Sequence, residues 1–212
     1  MPLRPAPLRP GLYLVTPDAR QPPALLARVR PLLPFASCLQ LRCKSMPPAA
    51  LAEAARQLRD ACGEAGVAFI VNDDPRLAAE VGADGVHLGE HDGGIAAARA
   101  LLGRGAIIGA SCYDDLARAR AAAGQGADYL AFGAFFPSPT KPHARRARPG
   151  LLRDSASLGL PRVAIGGVTP DNGRALVAAG ADLLAVVSGV FDAPDPAAAA
   201  RAYLSCFEDQ DR

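Results

Sequence analysis

The sequence predicts an α/β protein built as a single eight-stranded (β/α)8 barrel. Eight short apolar, β-rich runs recur at even intervals, separated by Ala/Leu/Arg-rich segments with helical spacing. Three of those runs are announced by nearly the same phrase: "GADGVHL" (82–88), "GADYLAF" (126–132) and "GADLLAV" (180–186). This is a repeating joint of helix, Gly stop, tight turn and strand. A chain of 212 residues also suits one barrel domain, with residues 1–10 as a short lead-in and 11–212 as the barrel. A doubly wound open sheet is the alternative. No GxGxxG or GxxxxGK[ST] follows the first strand, which weakens it.

In order, the first strand is "GLYLVT" (11–16) and the second "SCLQLR" (37–42). Alternation in the second puts Cys38, Gln40 and Arg42 on one face and Leu39 and Leu41 on the other, so Arg42 is expected in the barrel mouth. A long helix follows in "PPAALAEAARQLRDACGEAG" (47–66). The third strand, "AFIVND" (68–73), ends in Asn72 and Asp73, and the fourth, "GVHLG" (85–89), is followed by Glu90, His91 and Asp92. The fifth, "AIIGAS" (106–111), ends in Ser111 and leads to the helical "DDLARARAAAGQG" (114–126). The sixth, "YLAFG" (129–133), opens onto a basic, Pro-rich loop holding Ser138, Thr140 and Lys141. The seventh, "RVAIGG" (162–167), precedes the helical "TPDNGRALVAAG" (169–180), and the eighth, "LLAVVSG" (183–189), ends in Ser188 and Gly189. Helices that begin Asp-Pro or Thr-Pro carry an N-cap and a preset first turn.

Composition excludes several classes. A net charge of +2 argues against nucleic acid as the partner, and no apolar run is long enough to span a membrane. "MPLRPAPLRPG" has no apolar core of a secretory signal. Five cysteines without a CxxC spacing fit reduced thiols in a cytoplasm better than disulfides or zinc. The oligomeric state is not readable, which leaves a homo-oligomer open.

Barrel chemistry sits at the C-terminal ends of the strands, and here those ends carry the polar residues. Arg42, Lys44 and Lys141 are cations that call for a multiply charged anion such as a diphosphate. Arg42 paired with Asp73 as a structural bridge is the alternative. Asp73 and Asp92 follow adjacent strands, and two carboxylates with phosphate oxygens and water suit Mg²⁺. Helix N-caps are the competing reading, above all for Asp74 before Pro75. The "IGGVTPDN" and "VSG" segments form a second anion site of backbone amides, or else simple tight turns. Two phosphate sites of different kind suggest a transferase that joins two phosphorylated substrates with loss of diphosphate. Arg145, Arg146 and Arg148 are read as solvated loop residues.

In order, "LYLVT", "QLRCK", "FIVNDD", "GADGVHLGEHD", "GASCY", "FFPSPTK", "VAIGGVTPDN" and "GADLLAVVSG" resemble the thiamine phosphate synthase family over nearly the whole chain, from residue 12 to about 200. The resemblance implies a (β/α)8 barrel that joins a hydroxymethylpyrimidine diphosphate to a thiazole phosphate, with Mg²⁺, by a dissociative mechanism. It implies that Gln40, Arg42, Lys44, Asn72, Ser111 and Lys141 hold the pyrimidine diphosphate, with Lys141, Arg42 and Ser111 nearest the chemistry. Asp73 and Asp92 would hold Mg²⁺. Ser138, Thr140, Gly167, Val187 and Ser188 would contact the thiazole phosphate. The basic loop would supply Lys141 and order over bound substrates. One departure stands out: the family's usual QLRDK has Cys43 in place of Asp. If Arg42 and Lys44 lie close to Cys43 they should lower its thiol pKa; a neutral thiol turned away from the substrate is the other reading. A related thiazole tautomerase is an alternative, but its catalytic His falls where this chain has Tyr113. A non-catalytic barrel that binds a phosphorylated ligand is a further one.

Overall fold

The computed structural model describes residues 8–137 and 145–208. Eight parallel strands close into a barrel in sequence order: β1 (Gly11–Val15), β2 (Ala36–Leu41), β3 (Ala68–Asn72), β4 (Gly85–Leu88), β5 (Ile107–Tyr113), β6 (Tyr129–Phe132), β7 (Arg162–Ile165) and β8 (Leu183–Val186). β1 pairs with both β2 and β8, so no edge is left open. The helices are α1 (Pro22–Val29), α2 (Pro48–Ala65), α3 (Pro75–Val81), α4 (Ile95–Leu102), α5 (Leu116–Gly124), α6 (Gly150–Asp154), α7 (Pro170–Ala178), α8 (Ser188–Phe191) and α9 (Pro196–Leu204). The predicted barrel is therefore the observed one. Most strands stop one or two residues short of their expected ends, while β5 runs on to Tyr113 through a register shift between Ser111 and Tyr113. No helix among the described residues is long and apolar enough to cross a membrane.

The repeated GAD phrase has a physical cause. Each Asp precedes an even-numbered strand and accepts a hydrogen bond from an amide at or near the start of the odd-numbered strand before it. Asp84 takes the N–H of Phe69, Asp128 that of Ile108 and Asp182 that of Arg162, each at 2.8 Å. The N-terminal rim is thus clipped by carboxylates. Asp74, Asp115 and Asp195 cap α3, α5 and α9, and Thr169 with Asn172 forms a reciprocal capping box on α7.

Strand alternation divides the apolar residues into two cores. Leu12, Leu14, Leu39, Val71, Val86, Ile108 and Leu130 face outward against the helices. Tyr13, Val15, Cys38, Ile70, Ile107, Tyr129, Val163 and Leu183 fill the barrel interior. The two tyrosines are the largest interior side chains, and Gly109 on β5 makes room for one of them. A Cβ at Gly109 would lie 1.9 Å from Cζ of Tyr129. Gly109→Ala is therefore expected to lose about 1–3 kcal/mol in urea denaturation, the cost of overpacking a tight core. Gly124→Ala, with nothing within 4 Å of its added methyl, should be neutral or slightly stabilising. Equal stability of the two variants would contradict this packing.

Candidate active site

At the C-terminal rim, the loop after β2 is held by its neighbour. The Thr16 hydroxyl accepts from the N–H of Arg42 at 2.9 Å and donates to its carbonyl at 3.1 Å, pinning the backbone there. Asp18 Oδ1 accepts from the backbone N–H of Lys44 at 2.9 Å and of Ser45 at 3.2 Å. Among the described residues neither Arg42 nor Lys44 makes an ion pair, so the alternative of an Arg42–Asp73 bridge is not what forms. Arg42, Lys44, Asn72 and Asp73 share the lining of a cavity of about 100 Å³.

Asp73 stands directly after β3 at φ 65°, in the left-handed region, with its N–H bonded to the His87 carbonyl at 2.8 Å. Burial, then a hydrogen bond and repulsion from Asp92, raise its carboxyl from 3.8 to about 6, while Asn72 and Lys44 pull the other way. Asp92 folds back so that its Oδ2 accepts the Gly89 N–H at 2.8 Å. A Cβ at Gly89 would sit 2.7 Å from that oxygen, so the approach depends on glycine. Two carboxylates held together and partly desolvated form a local concentration of negative charge beside two cations. The helix-cap alternative belongs to Asp74 alone, whose Oδ1 accepts from Arg76 and Leu77 at 2.9 and 3.0 Å.

Across the rim, Gly166 and Gly167 follow β7 at φ 95° and 67°. The Phe135 N–H bonds to Ile165 O at 3.2 Å and the Phe136 N–H to Gly166 O at 2.9 Å. A Cβ at Gly167 would lie 2.4 Å from Pro137 O, so the strand leaving β6 and this turn pack backbone to backbone. Asn172 Nδ2 donates to Gly167 O at 3.1 Å, and Val187 and Ser188 begin the neighbouring turn at the end of β8. Ser138, Thr140 and Lys141 lie outside the described residues. Where the chain is described again, Arg145 is exposed, as a solvated loop residue would be, and its guanidinium lies 5.6 Å from the Tyr113 ring centroid. Arg118 also stacks on that ring at 5.4 Å and pairs with Glu90 at 3.0 Å. Arg148 is a surface residue paired with Asp154 at 3.1 Å.

The sequence reading missed a buried polar chain beneath the mouth. Gln40 Nε2 donates to Tyr13 Oη at 2.8 Å; Tyr13 Oη and Tyr129 Oη are 2.7 Å apart. Tyr129 Oη then meets His87 Nδ1 at 2.9 Å, and His87 Nε2 meets Ser111 Oγ at 2.9 Å. The chain runs through β2, β1, β6, β4 and β5 and joins two predicted site residues, Gln40 and Ser111. Burial pushes both tyrosine hydroxyls far up. It pushes His87 down from 6.5 to about 4, with the Asp92 charge a partial offset. The signal available was parity: Tyr13, Gln40, His87, Ser111 and Tyr129 fall on the inward face of their strands.

Of the two readings of Cys43, the neutral thiol is the one the structure favours over a cation-lowered one. Its Sγ–H donates to Asp18 Oδ1 at 3.0 Å and lies 2.9 Å from Ala19 O. Burial first, and the Asp18 carboxylate next, raise the thiol pKa. The Asp18 carboxyl is held below its ordinary range chiefly by the thiol, with help from Ser45 and the Lys44 backbone. The carboxylate near this position thus comes from the loop after β1.

A larger hollow of about 660 Å³ lies at the other end of the barrel, lined by Leu8, Arg9, Ser37, Asp84 and Gly105 among others. It sits at the strand starts, away from the paired carboxylates and unpaired cations, so size does not pick out the chemical end.

Two predictions follow from the buried groups. His87 has a depressed pKa in the folded chain, so the unfolded chain takes up its proton first. Its contribution is complete above about 6.5 and is lost as pH falls toward about 4, a span worth about 3 kcal/mol. Urea unfolding across that range should show the decline in wild type and a shallower one in His87→Gln; parallel profiles would exclude it. Cys43→Ser should be nearly silent. Cys43→Asp should set two carboxylates against each other and lower Tm, less so in high salt; a gain in Tm at low salt would contradict the Asp18 contact.

These geometries can be set beside known proteins. A family model described as "Thiamine monophosphate synthase" matches residues 12–190. The thiamine-phosphate synthase of Xanthomonas campestris pv. campestris is 60% identical over 197 residues, covering 93% of this chain and 95% of that one. That of Azoarcus sp. (strain BH72) is 56% identical over 199 residues, covering 93% and 97%. Among solved structures, thiamine phosphate pyrophosphorylase from Pyrococcus furiosus superposes with a TM-score of 0.82 at 34% identity, covering 94% and 96%. A 3-hexulose-6-phosphate synthase from Salmonella typhimurium, at 17% identity and TM-score 0.73, shares the fold alone. With a family model covering most of the barrel and relatives well above half identical along its length, the chain belongs to the thiamine monophosphate synthase family.

Proposed function

We propose that this protein is a transferase of thiamine biosynthesis: it joins 4-amino-2-methyl-5-(diphosphooxymethyl)pyrimidine to 4-methyl-5-(2-phosphooxyethyl)thiazole, giving thiamine phosphate and diphosphate. The observation that carries the reading is the pair of cations, Arg42 and Lys44, which form no ion pair among the described residues and stand beside the Asp73–Asp92 pair, with Lys44 near enough to favour the charged form of Asp73. Unpaired charge at a half-buried rim is costly unless a ligand of the opposite sign completes it. A diphosphate does so for the cations.

The carboxylate pair fits Mg²⁺. Among the described residues no group of three or more His, Cys, Asp or Glu is poised for a metal, and Mg²⁺ takes few protein ligands and keeps its waters. The carboxyl of Asp73 is raised first by burial, then by its hydrogen bond with and repulsion from Asp92, and a divalent cation would favour its charged form. Asp73 and Asp92 would hold the ion, which when bound neutralises charge on the departing diphosphate.

The residues then divide the work. Arg42, Lys44, Asn72 and Lys141 hold the diphosphate, and Gln40 and Ser111 orient the pyrimidine. Gly167, Val187 and Ser188, with Ser138 and Thr140, receive the thiazole phosphate on backbone amides and hydroxyls. Diphosphate departs with its bonding electron pair, the pyrimidine amino group supports the resulting cation, and the thiazole nitrogen supplies the pair for the new C–N bond. Positioning and charge stabilisation carry such a reaction without a general base. The tautomerase alternative is disfavoured by Tyr113, which stands between Arg118 and Arg145 where that activity needs a His.

Purified protein given both substrates and Mg²⁺ should form thiamine phosphate and diphosphate in equal amounts. EDTA should abolish the reaction and Mg²⁺ restore it. Asp92→Asn should raise the Mg²⁺ concentration for half-maximal rate by about tenfold or more, as expected for a lost charged ligand. Product formation undiminished by EDTA, or an unchanged Mg²⁺ requirement in the variant, would overturn the metal assignment. No product with both substrates present would overturn the function.

A further inference from the structure

The buried chain from Gln40 to Ser111 has a direction, and the direction follows from its chemistry. Gln40 offers Nε2–H to Tyr13 Oη, and the single Tyr13 proton goes to Tyr129 Oη at 2.7 Å, a better acceptor than the neighbouring Cys38 sulfur. Tyr129, having accepted, donates to His87 Nδ1. A neutral imidazole that accepts at Nδ1 carries its hydrogen on Nε2, which is given to Ser111 Oγ. Ser111, with its oxygen engaged, keeps its own O–H for a further partner. At the other end, the Gln40 N–H₂ faces the two tyrosine hydroxyls, donating to Tyr13 at 2.8 Å, and Oε1 is its remaining acceptor.

We propose that Tyr13, Tyr129 and His87 are positioning residues that fix one polarity at the pyrimidine site, with Gln40 Oε1 as hydrogen-bond acceptor and Ser111 O–H as donor. The proposal rests on the function given above and adds a basis for substrate choice. An aminopyrimidine edge has an N–H to give and a ring-nitrogen lone pair to receive, matching an acceptor and a donor. A pyrimidinone edge offers a carbonyl and a ring N–H, which reverses the match. Reversing the protein instead would require the Gln40 amide, both tyrosine hydroxyls and the His87 tautomer to change together. Such chains polarise cooperatively, so the cost is shared by every link. Among the described residues no buried side-chain nitrogen or oxygen lacks a partner, and the one further polar group beside Tyr13 is the weakly bonding Cys38 thiol.

The first test is spectroscopic and independent of turnover. Full-length protein labelled with ¹⁵N-histidine contains three histidines, and the His87 signals are identified by their loss in His87→Gln. At neutral pH the expected result is a neutral ring with its hydrogen on Nε2. An Nδ1–H tautomer overturns the polarity. The second test is kinetic. Tyr129→Phe keeps the ring and breaks the chain, so KM for the pyrimidine diphosphate should rise about tenfold, the scale of one lost hydrogen bond. KM for the thiazole phosphate should stay within about twofold, and preference for the amino over the oxo pyrimidine diphosphate should narrow. His87→Gln, which can still donate to Ser111, should retain more of that preference than His87→Leu. Tyr13→Phe serves if Tyr129→Phe does not fold. An unchanged pyrimidine KM and unchanged preference overturn the proposal. An Nε2–H ring in a wild-type protein that makes no thiamine phosphate overturns the function instead and leaves the polarity standing.

Discussion

The 2.7 Å contact between the hydroxyls of Tyr13 and Tyr129 is the constraint on which the mouth of this barrel depends. A barrel interior of eight strands is narrow, and most of it here is apolar. Two phenol rings, from β1 and β6, meet edge to face with centroids 5.9 Å apart and bring their hydroxyls together in the dry centre. Neither could stay there alone, since a buried hydroxyl without a partner is costly. Each therefore recruits a second polar group: Gln40 on one side and His87, stacked on Tyr129 at 5.5 Å, on the other. The glycine at position 109 follows from the same requirement, because the Tyr129 ring occupies the space of its missing Cβ.

Above that layer the electrostatics are deliberately incomplete. Arg99 and Arg162, near the strand starts, are paired with Asp128 and Asp182. At the strand ends Arg42 and Lys44 form no ion pair among the described residues, and Asp73 shares its site with another carboxylate. Among the described residues the two non-glycine positions at positive φ, Asp73 and Tyr113, also lie on this rim. Unusual backbone and unbalanced charge collected at one end are what a ligand site requires, and they persist because the rest of the barrel over-determines the chain.

How much of this was legible depends on whether the signal is local. The barrel was, since eight β-rich runs and the repeated GAD joint are properties of neighbouring residues. The division of Leu39 and Leu41 from Cys38 and Gln40 was also legible, because alternation needs no knowledge of the partner strand. Strand ends were overrun by a residue or two because polar residues past the last ladder bond still read as strand. The buried chain was not legible. Tyr13, His87 and Tyr129 are separated by long stretches of sequence, and each looks like an ordinary residue of an apolar strand. Only closure of the sheet brings them together. Asp18 was missed for a related reason: attention to the polar ends of β2 to β8 passed over the loop after β1, where a carboxylate compensates for the one absent at Cys43.

The two ends of the barrel divide the tasks of stability and chemistry between the same strands. At the starts, carboxylates of Asp84, Asp128 and Asp182 tie β3, β5 and β7 to the joint before the next strand, and they are spent on backbone amides and arginines. Packed leucines and alanines between strands and helices add the main apolar contribution, about 1.5–3 kcal/mol for each fully buried Leu. That layer reaches the rim at one place, where Leu41, Leu51, Val71 and Leu77 line the same small cavity as Arg42, Lys44, Asn72 and Asp73. The interior chain of Gln40, Tyr13, Tyr129, His87 and Ser111 is core and site at once along its whole length. It fills the barrel with aromatic volume, and its two ends are the groups a substrate would meet. A substitution inside it is therefore felt in both stability and specificity, whereas one in the outer layer away from that cavity is felt in stability alone. That distinction separates a residue that merely fills the barrel from one that aims what lies above it.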